Sequence, residues 1–278
     1  MFERVLYPTD FSDVSLHALR HCIPELFKLG ARELHLIHVI DITVTEFEAF
    51  ELEGVFREKL EDIARELREM GINVKTHVTI GIPSIEIAET AQRENVDLIV
   101  TPSIGENAWR QMFMGSTASN LARTTKKPVL LLKYVREGES FKLPVECSGL
   151  FRKPLVAVDF SKCSLRVAQV VKRFLEHVES GVLLHSVDYG GIKELEHNIE
   201  VAKKNLEKLS RGLDGKFSLE VMVGTASQAI IGTALAKGAT LIVLGKKGRS
   251  VLKDLILGST AERVIRDSKL PVLLVPCD

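Results

Sequence analysis

The residues best suited to chemistry form a glycine-spaced pair of segments near the C-terminus. Gly245-Lys246-Lys247-Gly248-Arg249 is followed by Gly258-Ser259-Thr260-Ala261-Glu262, a G-x2-G-x9-G-[ST] spacing. Glycines permit positive φ and let backbone N–H groups approach a ligand with no Cβ in the way. Ser259 stands where a helix should start, and Glu262 three residues on completes a capping box. A helix start facing such a loop presents N–H groups and a positive dipole end, which suits phosphate. From Gly245 to Leu257 the residues Lys246, Lys247, Arg249 and Lys253 outweigh Asp254, a net charge of +3. Asp10 and Asp159, each followed by a serine two positions on, close two short apolar runs and are the carboxylates best placed beside such a loop.

Other reactive patterns carry less. There is no G-x4-G-K-[ST] and no G-x-G-x-x-G, so the usual P-loop and dinucleotide cradles are missing. Neither a G-x-S-x-G elbow nor a Ser-His-Asp order is present, and no catalytic residue is assigned. His17 and His21 have helical metal-ligand spacing but no third ligand nearby, so no metal site is assigned. His38 and His185 recur at matching strand ends and are expected to pack beneath the site. Trp109 and Met112-Phe113-Met114 fall in a variable loop, as a partner surface or as cover for the sheet. Cys22, Cys147, Cys163 and Cys277 show no Cys-x-x-Cys spacing and are expected as buried thiols in a reducing cytoplasm.

The elements that must hold these residues are repeated. Val5-Leu6-Tyr7-Pro8-Thr9-Asp10-Phe11-Ser12 matches Leu155-Val156-Ala157-Val158-Asp159-Phe160-Ser161, and Gly115-Ser116-Thr117-Ala118 matches Gly258-Ser259-Thr260-Ala261. The offset falls from 149 to 147 and then to 143 along the chain, so a whole domain is duplicated. Short Val/Ile/Leu-rich runs at 4–9, 33–40, 73–80, 97–101 and 128–133 read as strands buried on both faces. Helical patterns at 13–29, 46–70, 84–94 and 117–125 alternate with them. The second half repeats the strands near 154–158, 181–187, 217–223, 239–244 and 271–275. This alternation predicts two tandem doubly wound α/β domains with parallel sheets, over 1–134 and 154–278, joined by a linker at 135–153. Ligands then collect outside the carboxyl ends of the strands, where Asp10, Asp159 and the glycine loops lie.

Composition agrees with a folded chain. Of 278 residues 45% are apolar and 27% charged, which excludes a disordered polymer. Lys plus Arg equals Asp plus Glu at 37 each, which argues against general nucleic-acid or membrane affinity. No apolar run approaches the ~20 residues that span a bilayer. The first residues enter a strand-like run with no signal segment before it, so a cytoplasmic location is expected.

The chain resembles the universal stress protein family in its tandem two-domain form. The resemblance spans nearly everything but the linker and rests chiefly on Gly245-x2-Gly248-x9-Gly258-Ser259, the motif of the ATP-binding branch. It implies a five-stranded parallel sheet of order 3-2-1-4-5 in each half, with adenine nucleotide across the ends of strands one and four. By that resemblance Ala157, Val158, Asp159, Ser186 and Val187 would line adenine and ribose. Gly245, Gly248, Arg249, Gly258, Ser259 and Thr260 would hold ribose and phosphates. The first-half counterparts are Pro8, Thr9, Asp10, Val39, Ile40, Gly105, Gly115, Ser116 and Thr117. That half departs from the pattern: Pro102 replaces Gly245, Glu106 replaces Arg249 and Ser119 replaces Glu262.

The expected function is an adenine-nucleotide (ATP or AMP) binding stress-response or regulatory protein with little or no turnover. Mg2+ would accompany ATP. The alternative is a slow ATPase or a nucleotidyl or phosphoryl transferase on the same fold. The closing strands, 129–132 and 272–275, are expected to pair antiparallel and make the chain an intramolecular pseudo-dimer, with a further homodimer as an added step. The sequence does not identify a downstream protein partner.

Overall fold

A computed structural model describes the chain except for residues 46–48, 105–113, 139, 188–191, 249–256 and 278. It divides into two compact units, Met1–Leu143 and Pro144–Asp278.

In unit 1 the order is β1 (Arg4–Pro8), α1 (Asp13–Lys28), β2 (Glu33–Asp41), α2 (Ile42–Thr45), α3 (Ala49–Glu69), β3 (Val74–Gly81), α4 (Pro83–Arg93), β4 (Leu98–Pro102), α5 (Ser116–Thr124) and β5 (Val129–Leu132). The sheet runs β3-β2-β1-β4-β5 and every neighbouring pair is parallel. Strands covered on both faces need apolar side chains at every position, and all of β4 and β5 is buried. α1 shows the amphipathic solution: Ser12 accepts from the Ser15 N–H as its N-cap, and Val14, Ala18, Leu19, Ile23 and Leu26 recur at helical spacing and are buried. The segment expected as a linker contains a short antiparallel hairpin, β6 (Val135–Glu137) with β7 (Ser140–Lys142), and a 3-10 turn at Cys147–Gly149.

Unit 2 repeats the plan with β8 (Pro154–Ala157), α6 (Lys162–Lys172), β9 (Gly181–Val187), α7 (Ile192–Ser210), β10 (Phe217–Val223), α8 (Ala226–Ala236), β11 (Leu241–Gly245), α9 (Ser259–Asp267) and β12 (Val272–Val275). Its sheet runs β10-β9-β8-β11-β12, again parallel throughout. In both units the chain steps outward from the first strand to the third, then returns to the other side of the first. The winding reverses between β1 and β4, and between β8 and β11. At such a reversal the two flanking loops part and leave a crevice at the carboxyl ends.

Candidate functional site

The turn that leaves β8 shapes one wall of that crevice. The Val158 N–H still bonds the Leu184 carbonyl (2.9 Å), but Phe160 takes a left-handed φ of 60°. A bulky residue there is sterically costly and persists only where its surroundings enforce it. Asp159 supplies that enforcement. Its Oδ1 accepts from the Ser161 N–H (3.0 Å), the Ser161 hydroxyl (2.6 Å) and the Ser164 hydroxyl (2.8 Å). Beneath it the Phe160 ring leans on His185 with centroids 4.4 Å apart, and His185 Nδ1 lies 2.7 Å from the Val158 carbonyl. Unit 1 builds the same turn: Phe11 has φ 61°, Asp10 Oδ1 takes the Ser12 N–H and hydroxyl, and His38 Nδ1 lies 2.9 Å from the Thr9 carbonyl. Burial holds the His38 pKa below its ordinary value, with the Thr9 hydrogen bond acting the other way. Both histidines therefore pack under the turn with one ring nitrogen committed to backbone.

The glycines serve close approach rather than unusual dihedrals. Gly258 has φ −71°, open to any residue. A Cβ on it would stand 3.4 Å from the Lys246 carbonyl oxygen, because the Gly258 N–H bonds that same carbonyl (2.9 Å) and draws α9 onto the loop. A Cβ on Gly248 would come 2.9 Å from Asp159 Oδ2, and one on Gly245 would come within 2.4 Å of Cys163 Sγ. The three glycines thus bring the ends of β8, β11 and α9 together.

The expected capping box is not formed. Gly258 is the N-cap of α9, Ser259 is already helical, and no side chain among the described residues caps the helix. The Glu262 N–H makes an ordinary helical bond to the Gly258 carbonyl (2.9 Å). The reason is the tight Gly258–Lys246 closure, which starts the helix one residue early. As a result, the first-turn N–H groups and the Ser259 hydroxyl are not used for side-chain capping.

These elements enclose a cavity of about 700 Å³ in unit 2, inside the range of small-molecule and cofactor sites. Ala157, Val158, Asp159, Ser186, Val187, Gly245, Gly248, Gly258, Ser259 and Thr260 all line it. Arg249 lies outside the described residues. On the β11 side Lys246, Lys247, Gly248 and the α9 start line it; on the other the ends of β8 and β9 do, with Ala157, Val158 and Val187 among them. The α7 wall, with Glu194, Asn198, Val201, Ala202 and Asn205, escaped the sequence reading. Its signal was present: Asn198 and Asn205, two turns apart, put polar side chains on the face that also carries Ala202.

The cysteines correct an expectation. Cys163 and Cys277 form a disulfide with Cα atoms 4.7 Å apart, and among the described residues no cysteine is a free thiol. The two are separated by 114 residues in sequence but meet because α6 begins beside the segment that follows β12. The bond borders the cavity: Cys163 lines it, and the Lys247 N–H donates to Cys277 Sγ (3.2 Å).

Unit 1 brings Pro8, Thr9 and Asp10 to the end of β1 and Val39 and Ile40 to the end of β2. Gly115 is the N-cap of α5, whose first residues are Ser116 and Thr117. The Gly115 N–H bonds the Ser103 carbonyl (2.8 Å), the same closure as in unit 2. Gly105, Glu106, Trp109, Met112 and Phe113 lie outside the described residues. Two features differ from unit 2. Pro102 sits buried inside β4 opposite Leu132, and Phe56 of α3 covers the turn, stacked on Phe11 at 5.8 Å and against His38 at 4.4 Å. Lys59 Nζ caps the Phe11 ring at 4.4 Å. The helical pair His17 and His21 stack at 4.1 Å, with His17 Nδ1 on the Tyr134 hydroxyl (2.9 Å).

Comparison with known proteins fits this geometry. A family model described as the universal stress protein family matches residues 1–133 and again 150–276. The universal stress protein MJ0577 of Methanocaldococcus jannaschii is 35% identical over 158 residues, 48% of this chain and 96% of that protein. A second protein of that organism, the universal stress protein MJ0531, is 30% identical over 144 residues, 48% of this chain and 83% of its own length. The crystal structure of a universal stress protein from Archaeoglobus fulgidus superposes with a TM-score of 0.71 at 26% identity, covering 98% of this chain and 96% of that one. Two matches of one family model, on two units of the same topology, give the conclusion: this chain belongs to the universal stress protein family and carries its domain twice.

Proposed function

We propose that unit 2 binds an adenine nucleotide, ATP or AMP, as a regulatory ligand with little or no turnover. The observation that carries this is the asymmetry of the ~700 Å³ cavity. Lys246, Lys247 and the α9 helix start, which no side chain among the described residues caps, lie on the β11 side, and the ends of β8 and β9, with Ala157, Val158 and Val187, on the other. A phosphate group on the first side meets positive charge and backbone donors together. The glycines keep that space open, since any side chain at 248 would press on Asp159 and a branched one at 258 would crowd the loop backbone. Among the described residues that line the cavity, Asp159 is the carboxylate beside Gly248, so it is the residue that would face Mg2+ carried in with ATP.

Identifying nucleotide released from the purified, denatured protein by mass spectrometry, beside calorimetric titration with ATP and AMP, tests the reading. Binding of ATP or AMP at a stoichiometry of at least one per chain supports it. If neither nucleotide binds, the reading fails. Turnover of ATP by the same preparation at an ordinary enzymatic rate would establish the transferase or ATPase alternative instead.

A further inference from the structure

We propose that unit 1 also carries a binding site for a divalent ion of the Zn2+ class, formed by His35, His77 and Glu94. The site lies in the amino-terminal half of β2, toward the opposite end of that strand from Val39 and Ile40. Parallel pairing sets His35 opposite Lys75 and Ile37 opposite His77, so alternation places Glu33, His35, Lys75 and His77 on one face of the sheet. Glu94, the C-cap residue of α4, comes down onto that face.

The donor geometry is close to what a tetrahedral ion requires. His35 Nδ1 lies 3.0 Å from His77 Nε2 and 3.9 Å from Glu94 Oε2, and all three donor atoms lie within 4.8 Å of one another. Zn–N and Zn–O bonds of about 2.0–2.2 Å imply ligand–ligand edges of about 3.3–3.5 Å. The 3.0 Å edge needs to open slightly. The longer ones close by rotation of Glu94, whose side chain is 26% exposed. Two imidazoles and one carboxylate are a usual Zn2+ donor set that leaves a fourth position for water.

The surrounding groups orient the central ligand. His35 Nε2 lies 2.7 Å from Glu33 Oε1, and the other Glu33 oxygen is held by Lys75 Nζ at 3.1 Å. A carboxylate only accepts, so Nε2 carries the proton and the Nδ1 lone pair points into the cluster. This carboxylate–histidine arrangement is how proteins fix the tautomer of a metal ligand. His35 is 1% exposed; its Nδ1 lone pair accepts from His77 Nε2 at 3.0 Å with Glu94 Oε2 next at 3.9 Å, and a bound ion would take the place of that His77 proton.

The duplicated unit supplies an internal contrast. The strand registers make Val182 and Glu220 the counterparts of His35 and His77, and Lys237, the C-cap of α8, stands where Glu94 caps α4. There Lys237 Nζ bonds Glu220 Oε1 at 2.6 Å. Unit 2 therefore closes this place with an ion pair, whereas unit 1 gathers two imidazoles and a carboxylate there, with Arg93 Nε on the other Glu94 oxygen at 3.1 Å. The sequence reading missed the cluster because its three ligands span 60 positions with no motif spacing, and only the register of β2 with β3 joins them.

The test uses the untagged full chain, stripped with chelator and titrated with Zn2+ against a chromophoric competitor. The expected result is one Zn2+ per chain and, with Co2+, visible ligand-field bands of tetrahedral intensity. His77→Ala and Glu94→Gln should each weaken Zn2+ by more than about 100-fold, and Glu33→Gln by about 10- to 100-fold. Glu94→Gln lies at a part-exposed helix end, so it keeps the test valid if His77→Ala misfolds. Zn2+ should also raise the thermal midpoint of the parent and leave that of the ligand variants unmoved. A parent chain that binds Zn2+ no more tightly than these variants overturns the site, whether because none binds or because the ion sits elsewhere.

Discussion

Gly258 offers a graded perturbation of the nucleotide site. Its φ of −71° is open to any residue, and a single added Cβ would meet the Lys246 carbonyl at 3.4 Å, an ordinary contact. Gly258→Ala should therefore fold normally, with a stability change within about 1 kcal/mol, as for other glycines at compatible dihedrals. Valine adds two methyls beyond that Cβ. The neighbouring loop atoms, Lys247 Cα at 3.6 Å and Gly248 N at 3.7 Å, leave them little room except toward the helix start. There they would screen the first-turn N–H groups from phosphate. A hydrogen bond to a charged group contributes about 1.5–3 kcal/mol, so losing one predicts a rise in Kd of about 10- to 150-fold. Calorimetric titration of parent, Gly258→Ala and Gly258→Val with ATP and AMP, beside circular-dichroism melts, measures both quantities. If the valine variant is folded and binds as tightly as the parent, Gly258 is a packing glycine and phosphate does not sit at the α9 start.

Three further outcomes are expected. A protein left with only the unit 2 site by Gly115→Val should bind ATP at least about ten-fold more tightly than one left with only the unit 1 site by Gly258→Val; equal affinities would show that Phe56 and Pro102 do not obstruct unit 1. Cys277→Ser should lower stability by about 2–4 kcal/mol in denaturant titration, since it opens a long loop; unchanged stability would mean the bond does not form. His38 has its pKa lowered by burial from 6.5, so below that pH the unfolded chain takes up a proton that the folded chain resists. Its contribution to stability should therefore be level above that point and shrink on acidification, and His38→Gln should flatten the slope; an identical slope in the variant would remove His38 as its source.

Much of the architecture was legible because buried parallel strands announce themselves. Runs such as Leu98-Ile99-Val100 and Val129-Leu130-Leu131 admit few other structures, and the repeat supplied each element twice. Boundaries drifted where only backbone decides them. The α9 helix starts at Ser259 rather than after it because the Gly258–Lys246 bond, a long-range contact, pre-empts the local capping signal. The residues brought to the unit 2 cavity from strand ends were readable by position in the motif. Those of α7 were not, because a helix opposite a crevice has no motif and shows only out-of-place polar residues such as Asn198 and Asn205. The disulfide was hidden for a related reason: Cys163 and Cys277 carry no spacing signal, and their meeting depends on how the segment after β12 passes the start of α6.

The two ends of the unit 2 cavity are built from different material. At the glycine end the shape is set by main-chain atoms, which no substitution changes so long as the glycines stay. The α7 wall is side chain throughout: Glu194, Asn198, Val201 and Asn205 line it beside the buried Ala202 and belong to no strand or loop closure. What the cavity grips and what it discriminates can thus evolve separately. A duplicated gene could keep its anchor and drift in preference through a few helix positions, and an engineer could retune selectivity there without rebuilding the sheet.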